Sequence, residues 1–370
     1  MNNNLQFDQL VELFRLTHQE TQYRASRTVD TYLVVRNWLF GWYIVEFENG
    51  NAGHAELYGQ ALMMKLAKEL GNPQIKGISI TSLKQCRRFY SAYKLVDKTA
   101  SIMTFEEEKM RQALSASSSL TTPFNAMQEF ITQLMPCFTL GWSHYVTLLT
   151  IDNSSERRFY EIEATANSWS VRELERQIAS SLYERLALSR NKDEIRQLAE
   201  QGLVIEKAAD IIKNPFVLEF LGLEERAGYS EYELEAAIIN KIEHFLLELG
   251  KGFLFEARQK RFTFDNDHFY VDLVFYNRLL RCYVLIDLKR DKLTHQDLGQ
   301  MQMYVNYFDR YVKTDDELPT VGIVLCHRKN DALVELTLPK DANIFASKYQ
   351  LYLPSKEELK YQLETIEIDL

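Results

Sequence analysis

Cysteine is scarce in this 370-residue chain, and the four present, Cys86, Cys137, Cys282 and Cys326, lie far apart. They form no Cys-x-x-Cys pair and have no histidine partners at zinc spacing, which argues against a disulfide framework and against a structural zinc site. Long apolar runs are missing as well. No uninterrupted stretch approaches the roughly 20 residues of a membrane span, so no membrane association is expected. Met1 to Gln6 lack a basic region followed by an apolar run, which makes the cytoplasm the expected location. Positive charge is in deficit, with a formal net charge of −9. A surface coated in positive potential is therefore excluded, and phosphate recognition is left to local basic clusters. Internal repeats and long low-complexity tracts are absent. With 46% hydrophobic residues, the length suffices for two sizeable cores.

What is present begins with two apolar runs interrupted by acids, Phe269 to Tyr276 and Cys282 to Lys289. Aromatic and β-branched residues fill nearly every position except Asp272, Asp287 and Lys289, so both runs read as buried strands. Asn277 to Leu280 has the length of a short hairpin loop, and symmetric closure pairs Tyr276 with Arg281 and Asp272 with Leu285. Asp287 then lies diagonally across from Asp272 on the same face, and Lys289, two residues on, points the same way. An odd-length loop would put the two acids on opposite faces. Burying an uncompensated ion costs several kcal/mol, so the acids call for a partner. A divalent cation with hard oxygen ligands, Mg²⁺ or Mn²⁺, is one answer. An Asp287–Lys289 ion pair with Asp272 at a strand end is the other.

The flanking segments have recognisable boundaries. Ser230 to Glu233 has the form of a capping box opening a helical run, Leu234 to Leu249, that ends at Gly250 and Gly252. Glu235 sits at the edge of its apolar stripe. Phe253 to Phe264, containing Arg258 and Gln259, reads as a strand. Thr294 to Asp297 is a second capping-box form, beginning a helix through Gln300, Gln302, Tyr304 and Tyr307, and Gly322 to Cys326 gives a further strand.

Helix, three strands, helix, strand is an order that resembles the PDDEXK nuclease superfamily, with Asp272 at the first acid position, Asp287 and Lys289 in the acid-x-Lys motif, and Glu235 as the leading-helix acid. Gln300 and Tyr304 match the Gln-x-x-x-Tyr signature of the RecB-type branch. Val271 stands where the family commonly has proline, and Asp287 where glutamate is commoner. Over the whole chain, Leu140 to Tyr145, Trp169 to Leu174 and Leu182 to Leu186 resemble the amino-terminal region of YhcG-like proteins.

The resemblance implies an α+β chain of two domains. Residues 1–210 would form a mostly helical domain for nucleic acid or a partner, including a linker from about 190, and 211–370 a restriction-endonuclease-like core with a mixed central sheet. It further implies a metal-dependent nuclease acting on DNA rather than RNA. Asp272 and Asp287, with Glu235 directly or through water, would hold Mg²⁺ or Mn²⁺. Lys289 would stabilise charge on the phosphate, Gln300 would orient water or Lys289, and Tyr304 would support the site from beneath. As plain sequence, Gln300 reads equally as a polar helix face, and Tyr304 as core. A non-catalytic scaffold and a structure-selective junction resolvase, which would need a dimer formed through the amino-terminal helices, are the competing readings.

The amino-terminal half reads as helical. An aromatic run from Leu5 to Phe47 ends at the patch Asn49 to Gly53. A stripe of Tyr58, Ala61, Leu62, Leu66 and Leu70 closes at Gly71 to Pro73, and Ser79 or Thr81 caps a helix Leu83 to Leu95. That helix carries Lys84, Arg87 and Arg88, and the pair could read DNA as a helix-turn-helix. Together with Arg258 and Arg290 these are the candidate nucleic-acid contacts. Residues 97–125 read as a mobile serine- and threonine-rich loop. Ser170 caps a helix reaching about Leu188, and His144, without a nucleophile or acid nearby in sequence, reads as structural.

Overall fold

A computed structural model describes residues 30–45, 47–48, 59–70, 78–94, 131–223, 229–339 and 341–361. The start of the aromatic run at Leu5, the patch Asn49 to Gly53, the closure Gly71 to Pro73 and the loop 97–125 lie outside them. By compactness the chain divides into two units, Met1–Leu174 and Glu175–Leu370. Residues 175–217 bond to the rest of the second unit through Arg185 and a short strand.

The first unit is helical among its described residues: α1 (residues 30–45), α2 (Gln60–Leu70), α3 (Ile80–Ala92), α4 (Trp142–Leu148) and α5 (Ser154–Ala166). Ser79 caps α3, its side chain exchanging hydrogen bonds with Ser82, so the helix starts before Leu83 and ends before Leu95. Its buried face sets Phe89 and Tyr90 among Trp38, Phe138 and Tyr145, with Trp38 and Tyr90 edge to face at 5.0 Å. Gly41 lets α1 pass against α3, because a Cβ there would lie 2.1 Å from the Cys86 carbonyl oxygen. His144 Nε2 lies 2.9 Å from the Trp169 carbonyl oxygen, a structural bond.

The helix expected from Ser170 to about Leu188 is broken instead into α6 (Val171–Ala179) and α7 (Leu182–Ala187) by Ser181 at φ +52°. Serine competes for backbone hydrogen bonds and weakens a helix interior, and the break turns Arg185 inward. Its guanidinium donates to Ser180 O at 2.7 Å, to Ser180 Oγ at 3.0 Å and to Glu248 Oε1 at 2.5 Å, with both charged side chains fully buried.

In the second unit a six-stranded sheet runs β1-β6-β5-β4-β3-β2, formed by β1 (Phe216–Val217), β2 (Phe253–Phe264), β3 (Asp267–Asn277), β4 (Cys282–Lys292), β5 (Val321–Arg328) and β6 (Ile344–Gln350). β2, β3 and β4 are antiparallel; β4, β5, β6 and β1 are parallel. The sheet is thus mixed, as the resemblance implied. The helical run before β2 is kinked at Lys241 into α9 (Glu231–Asn240) and α10 (Ile242–Leu249), following α8 (Lys192–Gln201). Leu234, Ile238 and Phe245 of α9 and α10 cover one sheet face with Leu273, Phe275 and Ile286. Leu298, Met301 and Val305 of α11 (His295–Tyr311) cover the other with Val274, Leu285 and Val324.

Candidate active site

The hairpin closes two residues away from the expected register. Asn277 pairs with Cys282 and Leu273 with Ile286, so Tyr276 faces Tyr283 rather than Arg281. A shift of two keeps every side chain on its face. Continued one step, this register sets Asp272 opposite Asp287 rather than diagonal to it, but the paired ladder stops at Leu273. On the other side, the β2–β3 pairing skips from Arg258 with Leu273 to Lys260 with Val271, and Gln259 between them has φ +46°. The sheet therefore opens where Gln259, Asp272 and Asp287 meet. Asp272 takes over part of the lost bonding, with Oδ2 accepting from Leu288 N–H at 2.9 Å.

Around that opening the polar groups form one network. Gln259 Nε2 donates to Glu235 Oε2 at 2.6 Å and to Asp272 Oδ1 at 3.0 Å, and Arg258 Nε donates to Glu235 Oε1 at 3.0 Å. Lys289 Nζ lies 2.9 Å from Asp287 Oδ2, with Glu231 at 3.9 Å and Asp297 at 4.0 Å. The Asp287 contact is an ion pair without the alignment of a hydrogen bond, leaving Oδ2 buried and under-satisfied. Burial, then the neighbouring charge of Asp272, pushes the Asp287 carboxyl up to about 7 against the pull of Lys289. Burial draws Lys289 down, but the charges of Asp287, Glu231 and Asp272 outweigh it and hold its ammonium above the usual lysine value.

The structure sets Lys289 against Asp287 and links Asp272 to Glu235. Glu235 joins through Gln259, with both of its oxygens engaged. Among the described residues no three His, Cys, Asp or Glu side chains converge as a ready metal cage. The donor set still suits Mg²⁺, which is bound by one or two carboxylates and otherwise keeps water and phosphate ligands. Tyr304 is buried beneath the site and accepts a hydrogen bond from Gln300 Nε2. Its hydroxyl is raised by burial and by the charges of Asp287 and Asp272, even though the Gln300 bond lowers it.

The candidate nucleic-acid contacts fall in both units. Arg258 is taken by Glu235, while Arg290 donates to Tyr229 O and to Asp291 at 3.2 Å each. On α3, Lys84 is exposed and Arg88 pairs with exposed Asp152, whereas Arg87 Nε donates to buried Glu48 at 2.8 Å. Sequence reasoning missed Gln259 as a site member. Its signal, a polar residue inside an aromatic strand, gave no hint that it would link two acids from different elements.

Residues 209–364 match the YhcG PDDEXK nuclease domain, and residues 15–185 match the DUF1016 N-terminal domain. The protein named "Putative nuclease YhcG" of Escherichia coli (strain K12) is 37% identical over 348 residues, covering 91% of this chain and 88% of that one. This chain belongs to the YhcG family. Its PDDEXK domain holds the four charged residues described above. Among solved structures, a repair endonuclease from Pyrococcus abyssi matches at 20% identity and TM-score 0.24, over 35% of this chain and 50% of that one. An EndoMS–dsDNA complex matches at 18% and 0.24, over 36% and 51%. This chain thus spans about half the length of those structures.

Proposed function

We propose that this protein hydrolyses phosphodiester bonds in nucleic acid with Mg²⁺ or Mn²⁺ held by Asp272 and Asp287. The observation that carries the reading is a pair of neighbouring carboxylates at the open end of the sheet, Asp272 whose charge acts on Asp287, and Asp287 nearly inaccessible to solvent with the Lys289 ammonium 2.9 Å away. Such a pair is costly without a cation and is matched to one in charge and donor type.

Each side chain then has a task. Asp272 is held by Leu288 N–H and Gln259, which fixes the direction of its free lone pairs. Lys289, kept protonated by three carboxylates, stabilises the charge that builds on the phosphate oxygens. Gln300 and Tyr304 support the acids from α11. Bound between the aspartates, the cation would withdraw charge from the phosphate and make a water molecule more acidic. DNA is taken as the substrate by analogy with PDDEXK nucleases.

The test is cleavage of linear, circular, branched and single-stranded DNA and of RNA with and without Mg²⁺. Asp287→Ala is expected to remove all metal-dependent cutting while the protein stays folded. Equal cutting by the variant would sink this assignment. Binding without cleavage in either metal would favour the scaffold reading, and cutting confined to branched DNA would favour the resolvase reading.

A further inference from the structure

The outer side of α11 and the end of β2 line a pocket of about 330 Å³ that the reaction above does not use. Its rings are continuous with the site. Phe262 meets Tyr304 edge-on at 5.5 Å and stacks on Tyr307 at 4.1 Å, and Tyr307 lies 5.2 Å from Tyr311. Phe264 and Tyr311 are 57% and 62% exposed, so the aromatic surface is contiguous and open. Gly299 adds no side chain to the floor, and a Cβ there would meet nothing within 4 Å.

The lining has the chemistry of a base. Ring faces offer stacking, the Gln302 and Asn306 amides, with Gln302 Nε2 donating to Asn306 Oδ1 at 3.2 Å, keep a further acceptor and donor, and Arg310 supplies the lining's charge, with no carboxylate among the described lining residues. In a chain with net charge −9, that is a local exception. The volume lies at the small end of ligand pockets, room for one ring system rather than a polymer. A lipid or apolar peptide would make no use of the guanidinium or of the amide groups left over from the Gln302–Asn306 hydrogen bond.

We propose that this pocket stacks an unpaired nucleobase adjacent to the scissile linkage, so that the preferred substrates carry single-stranded or flipped-out nucleotides. The inference rests on the nuclease reading for its substrate, and its test separates the two. A short single-stranded oligonucleotide carrying 2-aminopurine is titrated in EDTA, which prevents cutting, with wild type and with the Phe264→Ala, Tyr311→Ala double variant. Both side chains are exposed, so thermal stability is expected to be unchanged. The wild type is expected to quench the fluorophore, and the variant to lose both the quench and roughly five- to 150-fold in affinity for the single strand. Affinity for a fully paired circular duplex should not move. Restoration of the quench by Tyr311→Trp would tie it to stacking.

Unchanged quench and affinity in the double variant overturn the pocket, even if wild type cuts with Mg²⁺ and Asp287→Ala does not. A quench lost in the double variant upholds the pocket even if no substrate is cut, an outcome that would sink only the nuclease reading. No quench in wild type overturns it and leaves the face to a protein partner.

Discussion

Gln259 is the residue on which the site's geometry turns, because its one amide group spans an acid of α9 and an acid of β3 at 2.6 and 3.0 Å. Groups that orient a ligand from behind typically matter by roughly 10- to 100-fold. Gln259→Ala is expected to weaken cleavage by about that factor, visible as a higher Mg²⁺ requirement in a metal titration. Lys289→Ala should cost roughly 10²- to 10³-fold in kcat, on the scale of one preorganised charge, with little change in KM. An equal rise in KM would instead mean that Lys289 serves binding. Asp272, Asp287 and Lys289 were legible as a group from strand alternation together with an even-length hairpin loop. Gln259 was not, because its position depends on a positive φ that no sequence pattern announces.

At the level of elements, α3 separates charges that look alike in sequence. Arg87 serves a buried carboxylate, Glu48, that also accepts from Gly59 N–H at 3.1 Å, whereas Lys84 and Arg88 reach the surface. Arg87→Ala should lower stability by about 1–3 kcal/mol in denaturant unfolding, since it strips a partner from a buried acid. Lys84→Ala with Arg88→Ala should change stability by less than about 0.5 kcal/mol. If α3 touches nucleic acid, the same double variant flattens the salt dependence of binding by about one unit of slope for each phosphate no longer neutralised. An unchanged slope would assign the basic face to solvent. In the β3–β4 hairpin, loop length fixed the parity of the register and hence the shared face of the acids, while the actual turn lay one residue further on, which shifts each cross-strand partner by two.

Across the second unit, the Arg185–Glu248 pair ties α7 to α10 and to β1, whose Val217 N–H donates to Glu248 Oε1 at 3.0 Å. Burial pushes the Glu248 carboxyl up, but the charges of Arg185 and Lys213 and the hydrogen bonds from Arg185 and Val217 N–H overcome it and hold it below the usual value. The unfolded chain therefore binds a proton more readily than the folded one. The pair's contribution is present above the ordinary glutamate value of about 4.3 and is lost as pH falls through the lower folded value. Glu248→Gln should cost about 3–5 kcal/mol near neutrality by leaving Arg185 buried and unpaired. It should also remove this part of the acid limb from a stability–pH profile. A variant as acid-sensitive as wild type would place that limb elsewhere.

The sequence by itself determined the strands β2 to β5, the helix caps and the common face of Asp272, Asp287 and Lys289, because all three follow from local periodicity, loop parity and side-chain chemistry; β1 and β6 were not read from it. Only the tertiary structure decided the break before Arg185, the tie of Arg185 to Glu248 and the joining of Glu235 to Asp272 through Gln259. Those depend on which distant groups must share burial, a condition that no short window of residues carries.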